Sequence, residues 1–261
     1  MIKVWEAHRD LSEAIGDSVG LGKYSENNPP TSIPDGVVFS RTLRDTFIYR
    51  SMLSVLRDKL FKLSMYPVGN RIDLYSQIFP NTILTETISG SILNSSRKGV
   101  LTTTPQRDIL VLLSVRAETT NDRYFPVPVK TQKEISYLFN TGNAHSSGLM
   151  CAFNPANPQL GTKAQVIIYD QEEYFGILQS VDFVLTYLPY PRNPALATVS
   201  GGVGVYGWTD ALDIEDAHYP EILSYARLLA MADSLDYDSG SFLVEELKIL
   251  TGQSQTITRR Q

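Results

Sequence analysis

The sequence predicts an α+β protein with a helical core and an inserted antiparallel β-rich region. Residues 41–64 repeat apolar side chains at helical spacing, and residues 220–235 and 241–251 do so again near the other end. Between them, most segments alternate apolar and polar residues or form short apolar runs, which is typical of strands. With 261 residues, of which 43% are hydrophobic, the chain is large enough to bury a core.

Composition shifts predict three stretches along the chain. Residues 1–65 form an N-terminal helical part with an extended loop at 20–38, which is rich in Pro, Asn, Ser and Gly. Residues 66–195 form the β-rich region, and residues 196–261 hold a glycine-rich loop, C-terminal helices and a flexible tail. We expect 1–65 and 210–251 to form one helical domain.

The N-terminal helices are predicted from caps and periodicity. Trp5 to Ile15 forms a short first helix, and Ser40 is a good N-cap for the strongest helix, Arg41 to Ser64. Apolar residues widen the stripe of this helix beyond one face, so we expect it to be buried on more than one side. Tyr66-Pro67 and Gly69-Asn70 are expected to end it.

The middle of the chain predicts strands, and the last third returns to helix. Asp108 to Ala117 is a continuous apolar run expected to be covered on both faces, whereas Val181 to Leu188 places its odd-numbered apolar residues on one face. Thr131 caps a short helix over 132–139. Pro220 begins the next helix, packed on the long one. The other predicted strands are Ile83–Ile88, Met150–Phe153 and Ala164–Tyr169, and Tyr124–Val129 is extended.

Charge and composition limit the class of function. A net charge of −5 and a pI near 5.3 argue against a dedicated nucleic-acid binder. Cys151 is the only cysteine and lies in an apolar run, which indicates a small buried hydrophobic residue. The first residues are too polar for a signal peptide, and no apolar run approaches the roughly 20 residues that span a bilayer. We therefore expect no membrane association.

No motif in the chain predicts catalysis or a cofactor. Gly202–Gly207 fits G-x-G-x-x-G, but no βαβ unit follows, so we interpret it as a flexible or hairpin-forming loop. The acidic set Asp210, Asp213, Glu215 and Asp216 could hold a hard cation, yet these acids also complement a helix N-terminus. The prediction is a protein that is not an enzyme, with no catalytic, cofactor-binding or metal residues. The three histidines lack the spacing of a helical zinc motif: His8, His145 and His218.

The predicted interaction residues are aromatic or basic. Tyrosine is favoured where a surface becomes buried against another protein, which points to Tyr190, Tyr206 and Trp208, the last two at the tip of a mobile arm. Arg44, Arg50 and Arg57 lie along the long helix, where a solvated face or pairing with acids of a neighbouring subunit is favoured over DNA contact.

Three segments together resemble the head-to-tail connector proteins of tailed bacteriophages, also called adaptor or neck ring proteins. They are the helix RTLRDTFIYRSMLSVLRDKLFKL (Arg41–Leu63), the strand run ending in LTYLPYP (Ala164–Pro191), and DIEDAHYPEILSYARLLAMADSLDYD (Asp213–Asp238). The pattern is most similar to ring proteins of crAss-like short-tailed phages. The β-rich region around 70–160 is longer than the family pattern.

The resemblance implies a structural virion protein that forms a homo-oligomeric ring, often of twelve subunits. Such a ring docks on the portal, contacts other neck and tail proteins, and extends a channel through which genomic DNA passes without sequence-specific binding. It would be assembled in the host cytoplasm and remain in the virion neck. The alternatives are another phage tail, collar or minor head protein, a small enzyme with an unrecognised site, or a cellular binding module.

Overall fold

The structure, a computed structural model, has an α+β fold divided into two compact units. Unit 1 comprises Met1–Asn81 with Pro191–Gln261, and unit 2 comprises Thr82–Tyr190. The described residues are 1–27, 39–66, 68–89, 99–103, 105–119, 124–131, 133–135, 137, 149–155, 163–170, 181–194 and 206–233. The predicted helix at 241–251, the tail from Gly252 and most of the glycine-rich loop lie outside these residues.

Unit 1 is helical in its described part. Helix α3 (Arg41–Ser64) packs on α5 (Tyr219–Asp233), and α1 (Val4–Ala14) contacts both, so the predicted packing of the long helix on the helix near Pro220 is confirmed. The α3 boundaries match the prediction, and the Ser40 hydroxyl accepts a hydrogen bond from the Leu43 N–H at 3.3 Å as N-cap. The helices are α1 (Val4–Ala14), α2 (Ser18–Lys23), α3 (Arg41–Ser64), α4 (Val68–Ile78) and α5 (Tyr219–Asp233).

Two helices of unit 1 differ from the prediction. Residues 18–23, partly inside the expected loop 20–38, form α2, because the Asp17 carboxylate accepts a hydrogen bond from the Gly20 N–H at 2.9 Å. Helix α4 occupies residues assigned to the β-rich region. Gly69 and Asn70 fall in its first turn, where the backbone N–H groups lack intrahelical partners and weak helix formers cost little. They begin a helix instead of ending one.

The described residues of unit 2 form two four-stranded sheets. The first has the order β1 (Leu84–Ser89), β8 (Val181–Pro189), β3 (Ile109–Thr119) and β4 (Tyr124–Pro126), and all its pairs are antiparallel. The second has the order β2 (Gly99–Thr103), β7 (Gln165–Asp170), β6 (Leu149–Asn154) and β5 (Val129–Lys130). Its only parallel pair joins β5 to β6. Strand β2 was not predicted.

One apolar core is shared by the two sheets of unit 2. Phe183, Leu185 and Tyr187 of β8 point into it, which confirms the predicted face of this strand. Val166 and Ile168 of β7 enter it from the second sheet. Strand β3 was expected to be covered on both faces, but its outer face is only half-buried. A second cluster, formed by Ile135, Met150 and Ala152, involves β6 and the short helical segment near 133–137.

Candidate functional site

Trp208 is part of the interior of unit 1 and not the tip of an exposed arm. Its side chain is 2% exposed, and its indole N–H donates to the Ser25 carbonyl at 2.7 Å. The ring packs beside His8 at a centroid distance of 5.4 Å, and the Arg41 guanidinium lies 5.1 Å from its centre. The prediction that Trp208 lies exposed on an arm and anchors a partner is therefore wrong. The chain itself supplies the apolar surroundings and the hydrogen-bond acceptor that the indole needs.

Tyr206 is also enclosed by its own unit. Its hydroxyl accepts a hydrogen bond from the Asp213 N–H at 2.8 Å, and the Arg192 guanidinium lies over its ring at 4.2 Å. No part of the side chain is exposed. The predicted role of Tyr206 as an interaction anchor is corrected in the same way. The loop residues before it, 201–205, lie outside the described part of the chain.

The acidic segment from Asp210 to Asp216 binds backbone and side chains of unit 1. Asp213 holds Arg192 through the backbone N–H at 2.9 Å and through the guanidinium, also at 2.9 Å. Glu215 accepts from the Asn81 N–H at 2.7 Å and from its side-chain amide at 2.8 Å. Asn81 and Arg192 lie next to the two points where the chain leaves and re-enters unit 1. The segment therefore ties together, within unit 1, residues from the two parts of the chain that form this unit.

A buried charged network connects α1, α2 and α3. Arg44 is completely buried, forms an ion pair with Asp17, and donates to the Ser12 hydroxyl at 2.5 Å and to the Phe39 carbonyl at 3.2 Å. The prediction that Arg44 lies on a solvated or inter-subunit face is wrong. Helical spacing could have indicated the burial of Arg44, because this residue precedes Ile48 by four residues and therefore shares the buried side of α3.

A histidine–carboxylate pair borders this network. The Nε2 atom of His8 lies 2.7 Å from the Asp45 carboxylate, and both side chains are buried. Arg41 approaches the same carboxylate at 3.8 Å. Burial makes the pKa of Arg44 lower than usual, but its ion pair with Asp17 opposes that effect. The network places the Arg44 and Arg41 guanidinium groups beside the Asp17 and Asp45 carboxylates inside unit 1, and these buried contacts hold α1, α2 and α3 together.

One side of α3 remains exposed and is basic at one end and apolar at the other. Arg50 and Arg57 are exposed, and neither forms an ion pair with any described residue. One and two turns further on, Phe61 is 65% exposed and Met65 is 69% exposed. Successive steps of seven, four and four residues keep all four side chains on one stripe of the helix. We call these four residues the basic–apolar face.

The other residues considered in the sequence analysis are a tyrosine, the single cysteine and two histidines. Tyr190 is half-buried, and its backbone N–H donates to the Asp108 carbonyl at 2.8 Å. Cys151 is buried in the unit 2 core, which raises the pKa of its thiol to about 12. The Nε2–H group of His218 donates to the Ile78 carbonyl at 3.3 Å, and burial together with Lys59 lowers the pKa of this histidine. His145 lies outside the described residues.

The described residues contain no group of three or more histidine, cysteine or acidic side chains placed to hold a metal ion. None of the helices in the described part is both long enough and apolar enough to cross a membrane. Among the described residues, the candidate functional features are therefore the buried polar network of unit 1 and the basic–apolar face of α3. Comparison of the chain with protein-family models and with curated proteins found no match.

Proposed function

We propose that the chain is a structural subunit of a ring in the neck of a tailed bacteriophage. Such a ring joins the portal to the tail and extends the DNA channel. The resemblance of Arg41–Leu63, Ala164–Pro191 and Asp213–Asp238 to connector proteins supports the proposal. The first and third of these segments correspond to α3 and to the approach and body of α5, which pack on each other.

The basic–apolar face is the observation that carries the proposal. Phe61 and Met65 expose most of their side chains beside arginines that have no counter-charge among the described residues. Apolar side chains grouped on a surface mark a site of contact with another macromolecule, since their burial removes apolar area from water. A protein that functions by assembling with other subunits needs a surface of this kind for the contact.

The test is whether the purified protein assembles. Native mass spectrometry and negative-stain electron microscopy are applied to the protein alone and together with a phage portal protein. Closed rings, or addition of the protein to the portal in a fixed ratio, are the expected result. A chain that stays monomeric over a wide concentration range and does not add to the portal would overturn the proposal.

A further inference from the structure

We infer that the basic–apolar face of α3 binds an acidic face of a second copy of the chain, in a head-to-tail contact. The inference rests on the proposed function, because it names the surface through which neighbouring subunits of the ring meet. It concerns two different patches, one on each copy. A head-to-tail contact of this kind closes into a ring when the rotation between copies permits.

The geometry of α3 makes the face continuous. From Arg50 to Met65 the helix rises about 22 Å at 1.5 Å per residue, and the four side chains stay on one stripe. The opposite side of α3 is buried within unit 1 through Ile48, Met52 and Val55. The helix is therefore held rigidly by its own unit while its other side is presented outward.

The charge of the face selects the partner surface. In a two-fold contact, the face would meet itself and place four arginines in one interface, with the two Arg57 side chains close to each other, and the face contributes no carboxylate to balance them. Like charges placed together across an interface oppose binding, whereas complementary charges select orientation and partner. An acidic surface is therefore the matching partner for Arg50 and Arg57.

The chain carries exposed acidic residues itself. Its net charge is −5, from 28 acidic and 23 basic residues. In unit 1, three exposed carboxylates form no ion pair with any described residue, and they lie away from the basic–apolar face in sequence: Glu13, Asp73 and Asp233. A second copy thus carries acids that, like the arginines of the first copy, have no ion-pair partner among the described residues, and the two sets can meet.

The first experiment reverses the charge of the face. Assembly of the full-length protein, alone and on the portal, is compared between wild type, R50E/R57E and F61S/M65S. The matched controls are K133E/K163E, which changes the net charge by the same amount at exposed lysines of unit 2, and Tyr137→Ser, which removes a side chain as exposed as Phe61 at 65%. We expect both face variants to run as the 29.1 kDa monomer and both controls to assemble like wild type.

The outcomes separate the inference from the proposed function. If wild type assembles and the face variants assemble equally well, the inference is overturned while the ring proposal stands. If wild type never assembles, both fail. The far-UV circular dichroism spectrum of each variant must match that of wild type. If the reversed charges disturb folding, R50A/R57A provides a milder change, which is expected to weaken assembly at least tenfold. If R50A/R57A and F61S/M65S both assemble as well as wild type, the inference is overturned.

The second experiment distinguishes head-to-tail from two-fold contact. Because Cys151 is the only cysteine and is buried, single cysteines placed by Ser54→Cys and Ser64→Cys, which keep all four residues of the face, are the only accessible thiols. In a two-fold contact through this face, a residue near the axis lies beside its own copy and forms a disulfide-linked dimer on oxidation. We expect no such dimer from either variant, and a high yield of dimer from one of them would overturn the head-to-tail arrangement.

Discussion

Replacing Arg44 with methionine should destabilise unit 1 far more than the same replacement at an exposed arginine of the same helix. Arg44 is completely buried, and its guanidinium neutralises Asp17, which is also buried. Methionine fills much of the same space but leaves the Asp17 carboxylate without its cation. It also leaves the Phe39 carbonyl and the Ser12 hydroxyl without their donors.

The expected magnitude follows from the cost of a buried unpaired charge. Removing one partner of a buried ion pair destabilises a protein by about 3–5 kcal/mol. In urea, with an m-value of about 2–3 kcal/mol/M, this shifts the unfolding midpoint down by about 1.5 M. The controls R50M and R57M remove exposed guanidinium groups and are expected to change the stability by less than about 0.5 kcal/mol.

Tryptophan fluorescence measures the relevant transition. The chain has two tryptophans, Trp5 and Trp208, and both belong to unit 1. Urea titrations at low protein concentration therefore follow the unfolding of unit 1. The companion variants D17N and D17N/R44M complete a double-mutant cycle. Asparagine at position 17 keeps an oxygen for the Gly20 N–H, so α2 retains its cap while the charge is removed.

Two results would refute this reasoning. If R44M loses no more stability than R50M, the buried pair does not support unit 1. If the double variant is as unstable as the sum of the two single variants, Arg44 and Asp17 are not coupled. We expect the double variant to recover part of the loss, because it removes both charges together.

Three further outcomes are expected. Trp208→Ala should lower the free energy of unfolding by about 3–5 kcal/mol, as measured by circular dichroism, because a buried aromatic side chain is lost; an unchanged stability with weaker assembly would instead restore Trp208 as a partner contact. Cys151 should resist a disulfide reagent at pH 8 in the native protein and react only as unit 2 unfolds, because burial raises its pKa to about 12; rapid reaction without denaturant would contradict its burial. His218 has a lowered pKa, chiefly because burial disfavours its charged form, so below the ordinary value of 6.5 the unfolded chain binds a proton that the folded chain resists. The contribution of His218 to the stability of the folded protein should be complete above pH 6.5 and should be lost as the pH falls towards the pKa of this histidine in the folded state. The urea unfolding midpoint of His218→Gln should therefore decline less between pH 7 and 5 than that of wild type. Equal declines for the two proteins would contradict this prediction.

Local patterns predicted the elements whose partners lie close in sequence. The apolar spacing of α3 and the cap at Ser40 depend on neighbouring residues, and both were predicted from the sequence. The alternation in β8 predicted which face carries Phe183, Leu185 and Tyr187. Helix α4 was not predicted because Gly69 and Asn70 are weak helix formers that often follow the end of a helix. In the structure both residues lie in the first turn of α4, where their low helix propensity costs little.

Burial of Tyr206 and Trp208 could not be predicted because it depends on distant residues. Trp208 donates to Ser25, and Tyr206 lies under Arg192, so neither environment is visible from the loop sequence alone. The same holds for Arg44, whose counter-ion Asp17 comes from another helix. The exposure of Arg50 and Arg57 agrees with the polar side of the helical pattern, but their role as contacts between subunits stays a prediction.

The insertion of unit 2 within unit 1 determines when each unit can form during synthesis. Unit 2 is one uninterrupted stretch, Thr82–Tyr190, so all of it has left the ribosome before α5 is made. Helix α3 must wait for α5, and closing so long a loop carries an entropic cost until unit 2 is folded and draws its ends together. The nascent chain therefore exposes the apolar side of α3 from the time this helix is made until α5 emerges, and premature association is favoured throughout that interval.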